Sequence, residues 1–393
     1  MINKYTGLLL LVFLLSGSFA RGQTVKRCLE RIEKNNPGLK ASRKLMKAKR
    51  VEARTGIFPK PISVNFGYFP DNQTVVDHKQ TLNATQSFYL PGVYKKMRNL
   101  AADEGVLAAL AYQKDRKEIL LRAQKLLIRL IYHRKRHQQL EVRLRYARQR
   151  YEGVREKTAA GGATLMARNK ARLHLLRIRR AMNQNEIERN RLMEQLDLLN
   201  GRRPLELSKA EYPAFPDLKL DTMLTRKPEQ MPSLLMAGQR VSVTEQRIDL
   251  KKALNGPELK LGYGAEVVGN SSFRGVVMGA SIPLWTNKNQ VRLARIQNDY
   301  RRLDYEHKLM ELRSETRKQY DVSRSLRRDL KTWRTILGKI KTTELLRKSL
   351  QMGEISILDF YREVQYYYDI YDEYLALERD YHLVLAGMYQ YRL

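Results

Sequence analysis

Two glycine-centred interruptions, each set between long stretches of helical periodicity, constrain this chain more than any other feature. One is Gln351-Met352-Gly353-Glu354-Ile355-Ser356-Ile357-Leu358-Asp359, and a weaker copy is Ala160-Gly161-Gly162-Ala163-Thr164-Leu165-Met166-Ala167. Aligning Gly161 with Gly353 gives an offset of 353 − 161 = 192 residues, which sets Gly201 opposite Leu393. Glycine stops a helix here because it takes backbone angles that other residues avoid. Thr164 and Ser356 are then placed to cap the next helix by accepting from its free N–H groups. The expectation is two copies of one unit, each with a turn at its centre.

The correspondence extends upstream. Asn36-Pro37-Gly38-Leu39 answers Met231-Pro232-Ser233-Leu234, Ile62 to Tyr68 answers Leu259 to Gly264, and Phe88-Tyr89-Leu90-Pro91 answers Ser281-Ile282-Pro283-Leu284. A helical stretch then runs to each turn, over 95–160 and 288–352. Each stretch is roughly 65 residues, or about 100 Å at 1.5 Å per residue, far beyond the usual helix of a compact globule. The first repeat is expected over 23–201: a helix broken near Asn36-Pro37, strands 61–69 and 80–90, long helix 95–160, turn 161–164 and return helix 165–200. A linker at 202–224 carries Pro204, Pro213 and Pro216. The second repeat, 225–393, has a helix, strands 257–268 and 273–284, long helix 288–352, turn 353–356 and return helix 357–392.

The strand candidates alternate. Val64, Phe66 and Tyr68 interleave with Ser63, Asn65 and Gly67, and Leu259, Leu261 and Tyr263 interleave with Glu258, Lys260 and Gly262. Val276, Met278, Ala280 and Ile282 continue the pattern. Such alternation gives one apolar and one polar face, which suits a tilted strand crossing an outer membrane. Four strands cannot close a barrel alone, and lipid tolerates no open edge, so a membrane-spanning sheet here requires several copies of the chain. The helices carry a seam instead: Leu326, Leu330, Trp333, Leu337 and Ile340, then Phe360, Val364, Tyr367, Tyr371, Tyr374, Tyr381, Leu385 and Met388. Apolar residues every 3.5 positions on average mean supercoiled helix pairs. Leu107, Leu110, Leu121, Ile128 and Ile131 form a weaker first-half counterpart.

Residues 1–22 read as a secretory signal peptide, with Asn3-Lys4, the apolar run Leu8 to Leu15 and small residues before a cleavage point after Ala20 or Gly22. Cys28 is the only cysteine, which excludes an internal disulfide, and it reads as a buried helix residue rather than a lipid anchor. The formal charge is +33, from 74 Lys+Arg against 41 Asp+Glu. Basic residues crowd the first long helix, as in Arg134-Lys135-Arg136 and Arg143, Arg145, Arg148 and Arg150. They could attract anions, but for an exported chain they read as a solvated helix face.

Several stretches in this order and spacing resemble the TolC-type outer-membrane efflux family, most nearly its heavy-metal branch of resistance-nodulation systems. They are Asn36-Pro37-Gly38-Leu39, Gly279-Ala280-Ser281-Ile282-Pro283-Leu284, Ser349 to Phe360, and Glu378-Arg379-Asp380-Tyr381. The resemblance covers essentially the whole mature chain. It implies an α+β membrane protein: a homotrimer in outer-membrane lipid, with a twelve-stranded β-barrel and a coiled-coil α-helical tunnel in the periplasm of a Gram-negative bacterium. It also implies a periplasmic adaptor (membrane fusion) protein and a resistance-nodulation inner-membrane pump as partners. The docking tips would be Gly161, Gly162, Ala163, Thr164 and Leu165 with Gly353, Glu354, Ile355 and Ser356, and the tunnel mouth would carry Asp359 and Arg362. This chain departs from the family in having Ala167-Arg168 where the first repeat would carry an acid, and in its strongly basic charge.

No phosphate loop or nucleophile elbow occurs, so neither an enzyme nor a cofactor is expected. His133 and His137 share a helix face, but basic residues surround them, and they read as a solvated pair rather than a metal site. His78, His174, His307 and His382 carry no signal of their own. The competing function is a basic coiled-coil protein that binds or scaffolds the cell envelope. It has no use for paired alternating strands at matching places in both halves. A cytoplasmic nucleic-acid binder is opposed by the signal peptide.

Overall fold

The computed structural model describes residues 23–70, 78–205, 211–285, 289–339 and 342–393. The expected signal peptide lies outside them. In chain order the elements are α1 (Gln23–Asn35), α2 (Pro37–Glu52), β1 (Ser63–Phe69), β2 (Lys79–Phe88), α3 (Pro91–Ala159), α4 (Leu165–Leu199), α5 (Leu220–Gln230) and α6 (Pro232–Ala253). Then follow β3 (Glu258–Val268), β4 (Ser271–Ser281), α7 (Gln290–Lys339), α8 (Thr342–Met352), α9 (Ile357–Met388) and a short 3-10 turn at Gln390–Arg392. Helix α3 is 69 residues long, with no proline after its first position and no glycine that breaks it. The proline-marked stretch after residue 202 gives way to helix at Leu220, earlier than the expected 224, and Pro228 lies inside that helix. Among the described residues, no helix is long and apolar enough to cross a membrane.

The chain divides into two compact units. One comprises Ala41–Asp115 and Lys227–Arg313. It holds a four-stranded antiparallel sheet in the order β1-β2-β3-β4. The registers Phe66↔Leu82, Leu82↔Ala265 and Leu261↔Met278 extend the alternation across the whole sheet. Val64, Phe66, Leu82, Leu261, Tyr263, Val276 and Met278 therefore share one face, and all are exposed. The other face carries Asn65, Thr81, Asn83, Thr85, Lys260, Gly262 and Gly264. Gly262 and Gly264 leave room there: a Cβ on either would collide with the neighbouring β2 strand. Beside the sheet, the first turns of α3 are tied to α6 by Lys96–Asp249 at 2.7 Å and Arg247–Glu104 at 2.8 Å. Asn298 of α7 donates to Thr244 Oγ1 of α6 at 2.9 Å.

The other unit comprises the described residues within 23–40, 116–226 and 314–393. Its main core joins Val25, Cys28 and Ile32 of α1 to Leu126, Leu127, Leu130 and Ile131 of α3 and to Leu192, Leu196 and Leu199 of α4. Cys28 is buried there, and burial raises its thiol pKa. The Asn35-Asn36-Pro37 break is held by side chains: Asn36 Oδ1 accepts from Leu39 N at 2.9 Å while its Nδ2 donates to Leu199 O at 2.7 Å. Pro37 then opens α2, where its missing N–H costs nothing, and Pro232 opens α6 the same way. Along α7, Leu326, Leu330, Trp333 and Leu337 are half-buried while their neighbours over 324–339 are exposed. That is the expected seam; the side chain of Ile340 lies outside the described residues.

Candidate functional site: two matched helical tips

The two glycine turns have the same geometry, residue for residue. Gly161 has φ +76° and Gly353 φ +77°. Gly162 N donates to Lys157 O at 2.8 Å and Gly161 N to Thr158 O at 3.2 Å. At the second turn Glu354 N donates to Ser349 O at 2.9 Å and Gly353 N to Leu350 O at 3.4 Å. This pair of bonds, closed by a left-handed residue, satisfies the last carbonyls of a helix. Thr164 Oγ1 then accepts from Ala167 N, and Ser356 Oγ from Asp359 N, both at 3.1 Å. Each donor, acceptor and left-handed glycine in the first turn has its counterpart 192 positions later, as in 353 − 161, 356 − 164 and 359 − 167.

The tips differ after the cap. Asp359 takes a hydrogen bond from Ser356 Oγ at 2.6 Å and pairs with Arg362 at 3.0 Å. Those contacts, the Ser356 bond first, lower its pKa. Its counterpart Ala167 can do neither. The carboxylate expected at a tunnel mouth is thus engaged locally, at the start of its own helix. Ile355 and Ala163 are half-buried, and Leu165 is exposed. Sequence reasoning missed three further apolar side chains at the tips: Met166, Met352 and Leu358 are all exposed. The offset could have found one pair, since Met166 and Leu358 are counterparts. Together with Leu165 they give both tips an apolar surface, and methionine adapts to varied contours.

Upstream of the tips, Leu144, Ala147 and Tyr151 of α3 pack on Leu175 and Ile178 of α4. The same helix α3 meets α9 through charge. Lys135 pairs with Glu378 at 2.6 Å, Arg143 with Asp372 at 2.8 Å, and Arg136 with Asp372 at 3.6 Å. The Arg143 guanidinium lies 4.2 Å from the centre of the Tyr368 ring, and that of Arg150 lies 5.1 Å from Phe360. As the numbers rise on α3 they fall on α9, so the two helices run antiparallel in one register. Part of the basic cluster read as solvated is therefore a seam, with Arg143 buried.

The histidines also depart from expectation. His133 Nδ1 contacts Asn185 Oδ1 at 2.8 Å, and Asn185 Nδ2 donates back to His133 O at 2.9 Å, pinning α3 to α4. His137 meets Glu141 at 3.2 Å instead. Neither is a solvated partner of the other. Among the described residues no His, Cys, Asp or Glu group of three could hold a metal.

His382 stacks on Tyr212, with ring centres 4.3 Å apart at 9°. Burial, then Lys135 and Arg334, push its pKa down from 6.5 to about 4. Burial, then Glu378, raises that of Tyr212. A histidine held neutral by the fold contributes stability that is complete above its unfolded value, near 6.5, and is lost as pH falls through about 4. His382→Phe keeps the stack without the titration. Urea midpoints from about pH 7 to pH 4 should therefore fall more steeply for the natural chain than for this variant. Parallel curves would show that His382 does not carry the effect.

No family model matches the sequence, and no curated protein matches it. Solved structures do. A structure of CusC, described in terms of folding and transmembrane channel formation, superposes with a TM-score of 0.77 at 16% identity, covering 95% of this chain and 92% of that one. The CmeC outer membrane channel of Campylobacter jejuni gives 0.76 at 15% identity, over 94% of this chain and 85% of that one. The outer membrane protein VceC of Vibrio cholerae gives 0.72 at 14% identity, over 94% and 93%. The sheet, the long helices and the two tips together have the fold of the TolC-type outer-membrane efflux channels.

Proposed function

We propose that this protein is the outer-membrane channel of a tripartite efflux system, a passive duct rather than an enzyme. Three copies build a twelve-stranded barrel in the outer membrane and a helical tunnel in the periplasm. The observation that carries this reading is the sheet. It exposes an apolar face to which all four strands contribute, and β1 and β4 have no further strand beside them among the described residues. Open edges are not stable in lipid, and closure needs at least about eight strands. The matched turns support two internal repeats, and the fold neighbours support the compartment. Crosslinking of the detergent-extracted protein should give three chains. A stable monomer with full strand content would sink the architecture.

The apolar face supplies a second test. Leu261→Arg and Met278→Arg each set a cation against hydrocarbon, at about 2–4 kcal/mol near the midplane. Lys260→Glu changes a charge on the polar face and should leave assembly intact. Equal behaviour of all three in folding and membrane-insertion assays would reverse the assignment of the faces.

The tips, with their exposed Leu165, Met166, Met352 and Leu358, are the surface we assign to a periplasmic adaptor and, through it, an inner-membrane pump of resistance-nodulation type. In this reading Asp359 with Arg362 belongs to the periplasmic mouth, where three copies would form a ring of paired charges that acts on passing ions. Single-channel recording of Asp359→Ala should show altered cation selectivity or block, and unchanged traces would remove that role.

A further inference from the structure

A groove of about 930 Å³ lies where the strands meet the helices of the sheet-bearing unit, within the size range of sites that hold one small amphiphile. Its walls include Phe58, Tyr89, Tyr94, Ala102 and Leu259, and two arginines, Arg54 and Arg98, also line it. Both arginines are exposed, and no hydrogen bond or ion pair of either side chain occurs among the described residues. This contrasts with the nearby cations, since Lys60 is paired with Glu258 and Lys96 with Asp249. Phe58 is among the most exposed large apolar side chains of the chain, at 78%.

Three observations identify the occupant. Leu259 pairs with Phe88 across β2 and β3, and both line the groove while belonging to the apolar face of the sheet. An acyl chain can thus pass from that face into the groove without leaving apolar surface. Tyr89 and Tyr94 sit at the strand-to-helix junction with rings 6.1 Å apart, and Tyr94 Oη accepts from Tyr89 N at 3.2 Å. Paired tyrosines with one wet and one apolar end mark the headgroup level of a membrane. The uncommitted arginines supply the charge that an anionic headgroup lacks a partner for, whereas a second copy of a chain of charge +33 would bring mostly cations. We propose that this groove binds one anionic phospholipid per chain, its acyl chain against Phe58 and Leu259 and its phosphate met by Arg54 and Arg98. The proposal rests on the outer-membrane reading.

The test uses the assembled, delipidated protein in detergent with phosphatidylglycerol added, read by native mass spectrometry. One lipid per chain should bind. Affinity should drop about fivefold for each arginine removed in Arg54→Gln and Arg98→Gln. Ala102→Trp, which fills the groove and keeps both arginines, should weaken binding as well. Excess inorganic phosphate should not displace the lipid, and phosphatidylethanolamine should bind more weakly. Displacement by phosphate, equal binding of the two lipids, or no response to either class of variant would overturn the proposal. So would a Phe58→Cys thiol that is shielded from maleimide in the lipid-free assembly, since a second copy would then cover the groove. Flotation of the natural chain with outer-membrane vesicles separates the two readings. If it floats there and binds no lipid, only the groove fails; if it does not float there, the channel reading itself fails.

Discussion

With the tips as the proposed docking surface of a trimeric channel, Gly353→Trp should abolish export with the cognate adaptor and pump while leaving oligomer formation and membrane insertion intact. Gly353 has φ +77°, a conformation that costs an L-residue about 1–2 kcal/mol. A Cβ placed there meets nothing within 4 Å. The substitution therefore strains one turn modestly and starts a bulky side chain from a Cβ that stands in open space. Gly353→Ala isolates the strain from the bulk and should export nearly as the natural chain does. Gly161→Trp should repeat the result, since its φ is +76° and its surroundings are equally open. The measurements are substrate accumulation in cells and crosslinked oligomer in the same membranes. Normal export by Gly353→Trp would remove the tips as the docking surface. Loss of export with Gly353→Ala would move the cause from docking to the turn itself.

Asp372→Ala should destabilise the α3–α9 seam by about 3–5 kcal/mol, the usual cost of leaving a buried charge without its partner. Arg143 has a side chain only 6% exposed and gives its guanidinium to Asp372 at 2.8 Å. Tyr368 lies over the same guanidinium, 4.2 Å from its ring centre, and its carbonyl accepts from Arg143 Nη2 at 3.3 Å, a longer bond that does not replace the carboxylate's charge. The loss should appear as faster amide exchange over 135–150 and 360–378 and as a lower thermal midpoint. The double variant Arg143→Met/Asp372→Leu should recover most of it, because apolar replacement of a whole buried pair is often neutral. With the single variants Arg143→Met and Asp372→Leu measured alongside the double, the double-mutant cycle gives the coupling between the two positions. A loss under about 1 kcal/mol in Asp372→Ala would place this pair with ordinary surface pairs.

Both expectations combine features legible in the sequence with features that were not. Turns and caps were legible because they are local: a glycine followed three residues later by Thr164 or Ser356 has few other conformations in which its neighbours' backbone groups are satisfied. The faces of the strands were legible because a period of two leaves each side chain one choice of face. The seam through Leu326, Leu330, Trp333 and Leu337 was legible for the corresponding helical reason. The basic cluster was misread because charge along a helix does not reveal which turn meets a partner. Only the antiparallel register of α3 and α9 puts Arg143 beside Asp372 and Lys135 beside Glu378. His382 carried no signal because its partner Tyr212 is 170 residues away, as 382 − 212 gives. The uncommitted Arg54 and Arg98 looked like every other arginine in a chain with 74 basic residues.

The sequence by itself thus determined where this chain bends, which strand residues face together, and that its helices are long and paired. Each of those follows from backbone preference and periodicity within about ten to twenty neighbouring residues. The tertiary structure decided which charges are buried, which histidines burial pushes toward the neutral form, which apolar side chains remain uncovered at the tips, and where a groove opens beside the sheet. Those depend on residues far apart in the chain arriving at one place, and their energies come from desolvation and pairing, which no local pattern encodes.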